Sequence, residues 1–393
     1  MTSKSNNISL PVFLRPLRKG LLPLVVVACL VPSACNKAVV NPEPVADTGA
    51  VLEFCGGFGA GMTKGAGQVT SESLRERHFG LFAYWEQQED YFDGAEPGRL
   101  WLDDREVVYS ETDGGVDYWR CSPAAYWPLG GCSLTFFAYA PYMDTRSGAL
   151  RFPLYDDGPM PRGRFTQVDD VDGQIDLCLS YPVYDVKKNI GAVPVSFNHA
   201  LTKVFFYFNL GGGRYENEDR SFMVKSLSLV NVVGENSFTF GGQTGFRWDE
   251  LPRSDLSSRD HTYRFSIADG TLSETPLPYA IERGDRTGLE RYECVNGEDA
   301  GVPYLLPQPM TGESYISVLI SLYSYDDATD TWTEEPHSEM DPVVIPLPEY
   351  TVWEPARTVC YSATIVPGIS VSFNVTLADW EGNVIEDVGF PVE

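Results

Sequence analysis

The chain has 393 residues, 43% of them hydrophobic, and carries 55 Asp and Glu against 29 Lys and Arg, a formal net charge of −26. That acidic excess excludes nucleic acid and anionic lipid as partners, since both are held by clustered Lys and Arg. The length suits two domains of ordinary size, and eight cysteines are too few and too widely spaced for a small-protein disulfide framework.

At the N-terminus, Lys4, Arg15, Arg18 and Lys19 lie before or beside the apolar run Leu21 to Val31, with no acid among them. The run is about half the roughly 20 apolar residues that a membrane-spanning helix needs, so residues 1–34 read as a cleaved export signal. Small residues directly before a cysteine resemble the lipobox of bacterial lipoproteins, whose cysteine takes a diacylglycerol. Val26-Val27-Ala28-Cys29 fits the usual wording better, and Pro32-Ser33-Ala34-Cys35 puts proline where leucine is common. Cys35 is preferred as the lipidated residue, because polar Asn36-Lys37 follows it, whereas Cys29 would leave apolar Leu30-Val31 at the start. Without its signal the chain holds 25 Lys and Arg against 55 acids, a net charge of −30. Residues 35–49, with Pro42 and Pro44, suit a tether.

From Val51 onward the pattern is β. Segments rich in Val, Ile, Tyr, Phe and Trp recur at 79–85, 106–109, 118–121, 134–139, 175–180, 193–197, 204–210, 223–230, 237–240, 263–267, 316–323, 359–365 and 369–378. Between them stand turn formers such as Asp113-Gly114-Gly115, Gly130-Gly131 and Asp157-Gly158-Pro159. Many strands without a long helical period imply an all-β protein of sandwich domains. In 370–377, Val371, Phe373, Val375 and Leu377 fall on one face, giving a strand with one dry side. The stretch 186–191 separates two strand groups of similar size, so the domains are expected at 50–188 and 189–393.

Two aromatic stretches bring a family into view: Phe79-Gly80-Leu81-Phe82-Ala83-Tyr84-Trp85, and Tyr126-Trp127-Pro128 followed by Leu134-Thr135-Phe136-Phe137-Ala138-Tyr139-Ala140-Pro141-Tyr142. They resemble the fimbrillin family, the type V pilins and their accessory subunits. Val195 to Val204 resembles the strand that opens the second fimbrillin domain, Tyr304-Leu305-Leu306-Pro307-Gln308-Pro309 a mid-domain signature, and Ile369 to Trp380 the closing strand. The resemblance implies two transthyretin-like β-sandwich domains in tandem, exported as an outer-membrane lipoprotein to the cell surface. It further implies assembly into a fimbrium: a trypsin-like protease cuts after a basic residue behind the first strand, that strand leaves, and a neighbour's C-terminal strand fills the groove.

The parts for such an exchange can be sought in the residues. Val51 to Cys55 is a candidate first strand, with a polar loop expected between it and Phe79. Lys64, Arg75 and Arg77 are the basic residues of that loop and the candidate cleavage points. At the other end, Val384, Val388, Phe390 and Val392 alternate with other residues, broken only by Glu386, and form a candidate donor strand. An ordinary edge strand closing the second domain is the competing reading.

Catalytic chemistry is not apparent. The histidines, at 78, 199, 261 and 337, have no partner at a metal-ligand or triad spacing, and His199 is read as structural. The acidic stretches 169–173 and 326–330 lack the full ligand set of a calcium loop and read as hairpin turns. No cofactor or metal is expected. Cys121 and Cys132 flank a short turn and are the best-placed pair for a bridge. Most tryptophans lie in strands, where core packing is the commoner fate, with Trp332 expected to be the exposed one. The function expected is a non-enzymatic structural subunit of a cell-surface fimbrium that supports adhesion. Its partners are other fimbrial subunits, the outer membrane through lipid, and host or bacterial surface ligands. The alternative is a glycan-binding outer-membrane lipoprotein.

Overall fold

The computed structural model describes residues 50–58, 68–86, 99–111, 117–128, 132–146, 148–152, 161–170, 173–210, 220–241, 245–252, 259–265, 303–326, 328–329, 331–335, 342–366, 370–380 and 384–390. All belong to one unit, Lys37–Glu393. The signal, the tether, Cys29, Cys35, Lys64 and Val392 lie outside the described residues.

The first half of the chain contains β1 (Glu53–Phe58), helix α1 (Ser73–Arg77), β2 (Phe79–Glu86), β3 (Arg99–Glu111), β4 (Asp117–Ser122), β5 (Ser133–Ala140), β6 (Leu150–Arg151), β7 (Arg162–Thr166), β8 (Cys178–Ser180), β9 (Val183–Val186) and β10 (Val193–His199). The second contains β11 (Thr202–Leu210), β12 (Arg220–Val232), β13 (Glu235–Phe240), β14 (Phe246–Trp248), β15 (His261–Phe265), β16 (Tyr304–Leu305), β17 (Tyr315–Asp326), β18 (Thr331–Glu334), β19 (Val343–Pro346), β20 (Arg357–Val366), β21 (Ser370–Asp379) and β22 (Val384–Phe390). The all-β expectation holds.

Strand β5 fixes the layering. All eight of its residues are buried, and they divide by parity, because successive side chains point to opposite faces. Leu134, Phe136, Ala138 and Ala140 join a core with Leu52, Phe54, Phe79, Leu81, Val195 and Phe197. Phe137 and Tyr139 join a different core with Phe82, Phe165, Phe238, Phe240 and Trp248. The strand thus serves two cores at once, which is why it reads as a nearly continuous apolar run.

The first core is wrapped by an eight-stranded sheet of order β2-β3-β4-β1-β10-β8-β5-β9. A further pairing of β2 with β5, seven residue pairs from Gly80↔Tyr139 to Glu86↔Ser133, joins the sheet back on itself and leaves β9 as a spur on β5. Strand β1 sits inside this circuit, parallel to β10 and antiparallel to β4. A third core, between two facing sheets, is supplied by β11, β20 and β21 on one side and by β12, β17 and β19 on the other. The first of these sheets has the order β16-β11-β20-β21-β22, and the second β15-β12-β17-β18 with β19 on β17.

The boundary expected at 188/189 does not coincide with a sheet boundary. Strand β10 follows it in sequence but pairs with β1 and β8 of the first circuit. The chain changes sheets at Ala200-Leu201, both fully buried, before β11 begins. A four-stranded sheet, β14-β13-β7-β6, then mixes strands from both sides of the expected boundary. The physical reason is apolar demand: the outer face of β2 and β5 is itself hydrophobic and is covered by Phe165, Phe238 and Phe240 of that sheet.

The expected bridge between Cys121 and Cys132 is not formed. Cys121 is buried in β4 as a small hydrophobe, and both are free thiols. Cys55 is disulfide-bonded.

Candidate functional site

Strand β1 is held from both sides. Five residue pairs run from Phe54↔Val193 to Phe58↔Phe197 along β10, and two more tie Glu53 and Phe54 to β4. Ahead of it, the Leu52 N–H donates to the Ala125 carbonyl at 2.9 Å and the Trp127 N–H to the Ala50 carbonyl at 2.9 Å. Leu52 and Phe54 are fully buried, and the Phe54 ring meets Phe79 and Phe136 edge-on at 6.4 and 5.6 Å. Burying a phenylalanine to this degree stabilises by about 1.5–3 kcal/mol. At the rim, the Arg120 guanidinium donates to the Glu53 carboxylate at 3.2 and 2.5 Å.

Arg75 and Arg77 do not stand in a loop. They lie on α1, exposed, directly after the fully buried Leu74. Thr70 and Ser73 fasten the entry to this helix: the Thr70 N–H donates to Ser73 Oγ at 2.8 Å and the Ser73 N–H to Thr70 Oγ1 at 3.1 Å. Such reciprocal bonding satisfies helix N–H groups that would otherwise lack partners. The Arg75 guanidinium lies 4.8 Å over the Tyr109 ring.

At the far end, β22 pairs with β21 alone and forms the edge of its sheet. The ladder runs from Phe373↔Phe390 to Ala378↔Val384, with a register shift between Leu377 and Ala378, so it is interrupted between Glu386 and Val384.

A second site lies under β10. The burial of β10 alternates, Val193, Val195, Phe197 and His199 inward, so the strand period delivers the imidazole to the interior. Cys178 of β8 is the cross-strand partner of His199, and Asp176, two residues earlier, adds its carboxylate. His199 Nδ1 lies 2.9 Å from Asp176 Oδ1 and 3.3 Å from Cys178 Sγ, and that sulfur is 3.9 Å from Asp176 Oδ1. The Val69 N–H donates to the other oxygen of Asp176 at 2.8 Å. Burial first, and then the Asp176 carboxylate, push the Cys178 thiol well above its usual range.

The imidazole also sits in an aromatic stack. Phe58, the last residue of β1, lies 5.2 Å from the ring at 19°, and Trp380, just past β21, lies 4.0 Å away at 16°. The buried Lys203 ammonium is 4.3 Å over the Trp380 ring and donates to the Trp380 carbonyl at 3.2 Å and to Gln68 Oε1 at 3.1 Å. His199 Nε2 is buried with no hydrogen-bond partner. Spacing along the chain gives His199 no metal-ligand or triad partner, whereas the fold supplies two. The partners stand 21 and 23 residues away and meet only through the pairing of β8 with β10.

Among the tryptophans, Trp119 of β4 and Trp248 of β14 are buried, as expected for strand positions, and Trp127, Trp353 and Trp380 are buried outside the strands. Trp101 is the departure: it is 43% exposed on β3, and its Nε1 donates to the carbonyl of the exposed Tyr126. Trp332 stands in β18, opposite Tyr325 of β17. Among the described residues no helix is long and apolar enough to cross a membrane.

The solved structure of a fimbrial protein from Bacteroides vulgatus ATCC 8482 aligns over 84% of this chain and 99% of its own, at 16% identity and a TM-score of 0.62. A fimbrial assembly protein from Parabacteroides distasonis ATCC 8503 aligns over 85% and 98%, at 9% identity and a TM-score of 0.34. The tip fimbrial protein Mfa3 from Porphyromonas gingivalis, with C-terminal truncation, aligns over 84% and 99%, at 10% identity and a TM-score of 0.31. Only the first is close enough to bear on the fold. A search among curated proteins finds no match. A sequence model described as fimbrillin-like matches residues 74–380, from the buried Leu74 of α1 to the Trp380 that stacks on His199. The chain therefore belongs to the fimbrillin-like family, a family of fimbrial structural proteins rather than enzymes.

Proposed function

We propose that this chain is exported, lipidated at Cys35, carried to the outer membrane and built into a cell-surface fimbrium by strand exchange, where it supports adhesion. The observation that carries the reading is the position of β1. A strand paired on both sides within the first circuit leaves two open ladders and an apolar slot when it departs. A neighbour's strand entering that slot regains main-chain hydrogen bonds and buries alternate side chains. Strand β22 is the donor in this reading, because an edge strand with one partner leaves by breaking one ladder.

Cleavage after Lys64 severs the main chain behind β1, and departure of the strand further requires that the disulfide of Cys55 be opened or leave with it. Lys64 stands in Gly59-Ala60-Gly61-Met62-Thr63-Lys64-Gly65-Ala66-Gly67, whose glycines suit an extended protease substrate. Arg75 and Arg77 are on a helix pinned by Leu74, which argues against them. Tandem domains remain part of the proposal, with the changeover at residues 200–201 in place of 188/189.

The deciding experiment combines mass spectrometry of the N-terminus on cells with electrophoresis of surface filaments. The reading expects a start at Gly65 in polymer, SDS-resistant ladders that collapse on heating, and loss of ladders in Lys64→Gln and in chains lacking residues 384–393. A chain that stays monomeric after trypsin treatment, or ladders unaffected by both changes, overturns it. A second reading, glycan binding, has one observation in its favour: Trp101 and Tyr126 are exposed side by side. It expects glycan retention that disappears in Trp101→Ala.

A further inference from the structure

We infer that Asp176, Cys178 and His199 form a structural site for a zinc-like divalent cation, buried where the first circuit meets the second half of the chain. The three side chains offer a carboxylate oxygen, a thiolate sulfur and an imidazole nitrogen, the donor set of a borderline-soft cation and not of calcium or magnesium. Their ligand atoms all lie within 4.8 Å of one another. The individual separations of 2.9, 3.3 and 3.9 Å bracket the roughly 3.3–3.7 Å expected between ligands on one face of a tetrahedral zinc centre.

Hydrogen bonding alone accounts poorly for this grouping. His199 Nδ1 can carry one hydrogen, yet both Asp176 Oδ1 and Cys178 Sγ lie within reach of it. The two sulfur contacts to Asp176, 3.8 Å to its carbonyl and 3.9 Å to Oδ1, are long for a weak donor. A cation replaces that crowding with three bonds and displaces the thiol proton, which is released to solvent as the cation binds, since coordinated cysteine is a thiolate.

The supporting shell is in place for Asp176 and for the spacing of the strand pair, while the second ring nitrogen of His199, Nε2, has no hydrogen-bond partner. Cys178 and His199 face each other on paired strands, so their spacing is set by a ladder. The Val69 N–H holds the second oxygen of Asp176, the kind of contact that orients a ligating carboxylate. Asp176 and Cys178 are 0% exposed and His199 is 3% exposed, so the three supply three of the four positions of a tetrahedral centre in a place closed to substrate, and the cation enters as the chain folds. The cation then braces three segments: β8, β10 and, through Val69, the entry to α1.

The test uses the purified chain refolded with and without stoichiometric Zn²⁺, and with Co²⁺ as a spectroscopic substitute. The expected result is one equivalent of zinc per chain by elemental analysis, a higher unfolding midpoint, and a thiolate-to-cobalt charge-transfer band. Zinc affinity should fall at least tenfold in Cys178→Ser and in Asp176→Asn. Retention of metal unchanged in Cys178→Ser overturns the assignment, because the metal is then held elsewhere in the chain. Should the variants fail to fold, the wild-type chain alone decides: the absence of the cobalt band, or of any zinc-dependent rise in midpoint, sinks the site.

Discussion

Tyr139 lies across the bare backbone of Gly80, its cross-strand partner, so closely that a Cβ at residue 80 would fall 2.1 Å from the ring. The same ring carries a hydroxyl that donates to Asp104 Oδ1 at 2.6 Å and to the Met143 carbonyl at 3.2 Å. Gly163 repeats the arrangement beneath Phe238, at 2.3 Å. In both places glycine opens room for an aromatic that fills the core shared by the two halves of the chain.

Gly80→Ala should therefore displace Tyr139 and weaken its hydrogen bond to Asp104. Overpacking of this kind costs about 1–3 kcal/mol, and the lost hydrogen bond adds about 1 kcal/mol. The urea midpoint of the variant should drop accordingly. A double variant, Gly80→Ala with Tyr139→Leu, should regain part of the loss, and a midpoint equal to wild type in Gly80→Ala alone would show that the ring yields freely.

Phe54→Ala empties the centre of the β1 slot. Loss of a buried phenylalanine costs about 3–5 kcal/mol, and the edge contacts with Phe79 and Phe136 go with it. Thermal unfolding of the unprocessed chain should report this loss. In the exchange reading, β1 is discarded before assembly, so filament ladders formed by pre-cut Phe54→Ala chains should match wild type in heat resistance. A parallel loss in both assays would mean that β1 stays in place.

Asp104 gives a pH-dependent prediction. Burial is the largest influence on its carboxyl and, set against hydrogen bonds from Thr145 and Tyr139, raises it above the ordinary value of 3.8. The folded chain then holds this proton more tightly than the unfolded chain. The stabilising contribution is present below the unfolded value and is lost as pH rises through the folded one. Asn tolerates the positive φ of 44° at this position and carries no charge. The stability of Asp104→Asn relative to wild type should therefore climb as pH rises from about 4 to about 7. Urea titrations of both chains at the two pH values check it, and a difference that stays flat would rule out a raised carboxyl.

Much of this fold could be read from the chain, and the failures have physical causes. Strands β5 and β10 were legible because aromatic density in one and alternation in the other follow directly from burial. Strand β7 was not: Arg162-Gly163-Arg164-Phe165-Thr166 buries only glycine and phenylalanine, and it owes its strand to pairing with β13. Helix α1 was missed because five residues are too few for a periodic signal. Arg75 and Arg77 consequently read as loop residues in the sequence. The Asp176, Cys178 and His199 grouping had half a signal, two residues of one parity and a histidine in register with inward valines. What the sequence does not carry is which strand lies beside which, and the parallel pairing of β1 with β10 is of that kind.

The order of trypsin cuts separates Lys64 from the two arginines. Cutting after Arg75 or Arg77 needs α1 to open, which draws Leu74 from full burial at a cost of about 1.5–3 kcal/mol. When opening is fast compared with cleavage, the rate follows the open population, and each 1.4 kcal/mol is a factor of about ten. Release of the strand by a cut at Lys64 should thus run about ten to a hundred times faster than a cut at Arg75 or Arg77. Timed digestion with mass spectrometry of the new N-termini measures both rates. Leu74→Ala should narrow the gap by loosening α1, leaving the Lys64 rate unchanged. Early products that begin at Glu76 or His78 would transfer the processing point to the helix, and the strand removed with it would then carry α1 and the Val69 contact to Asp176 out of the fold.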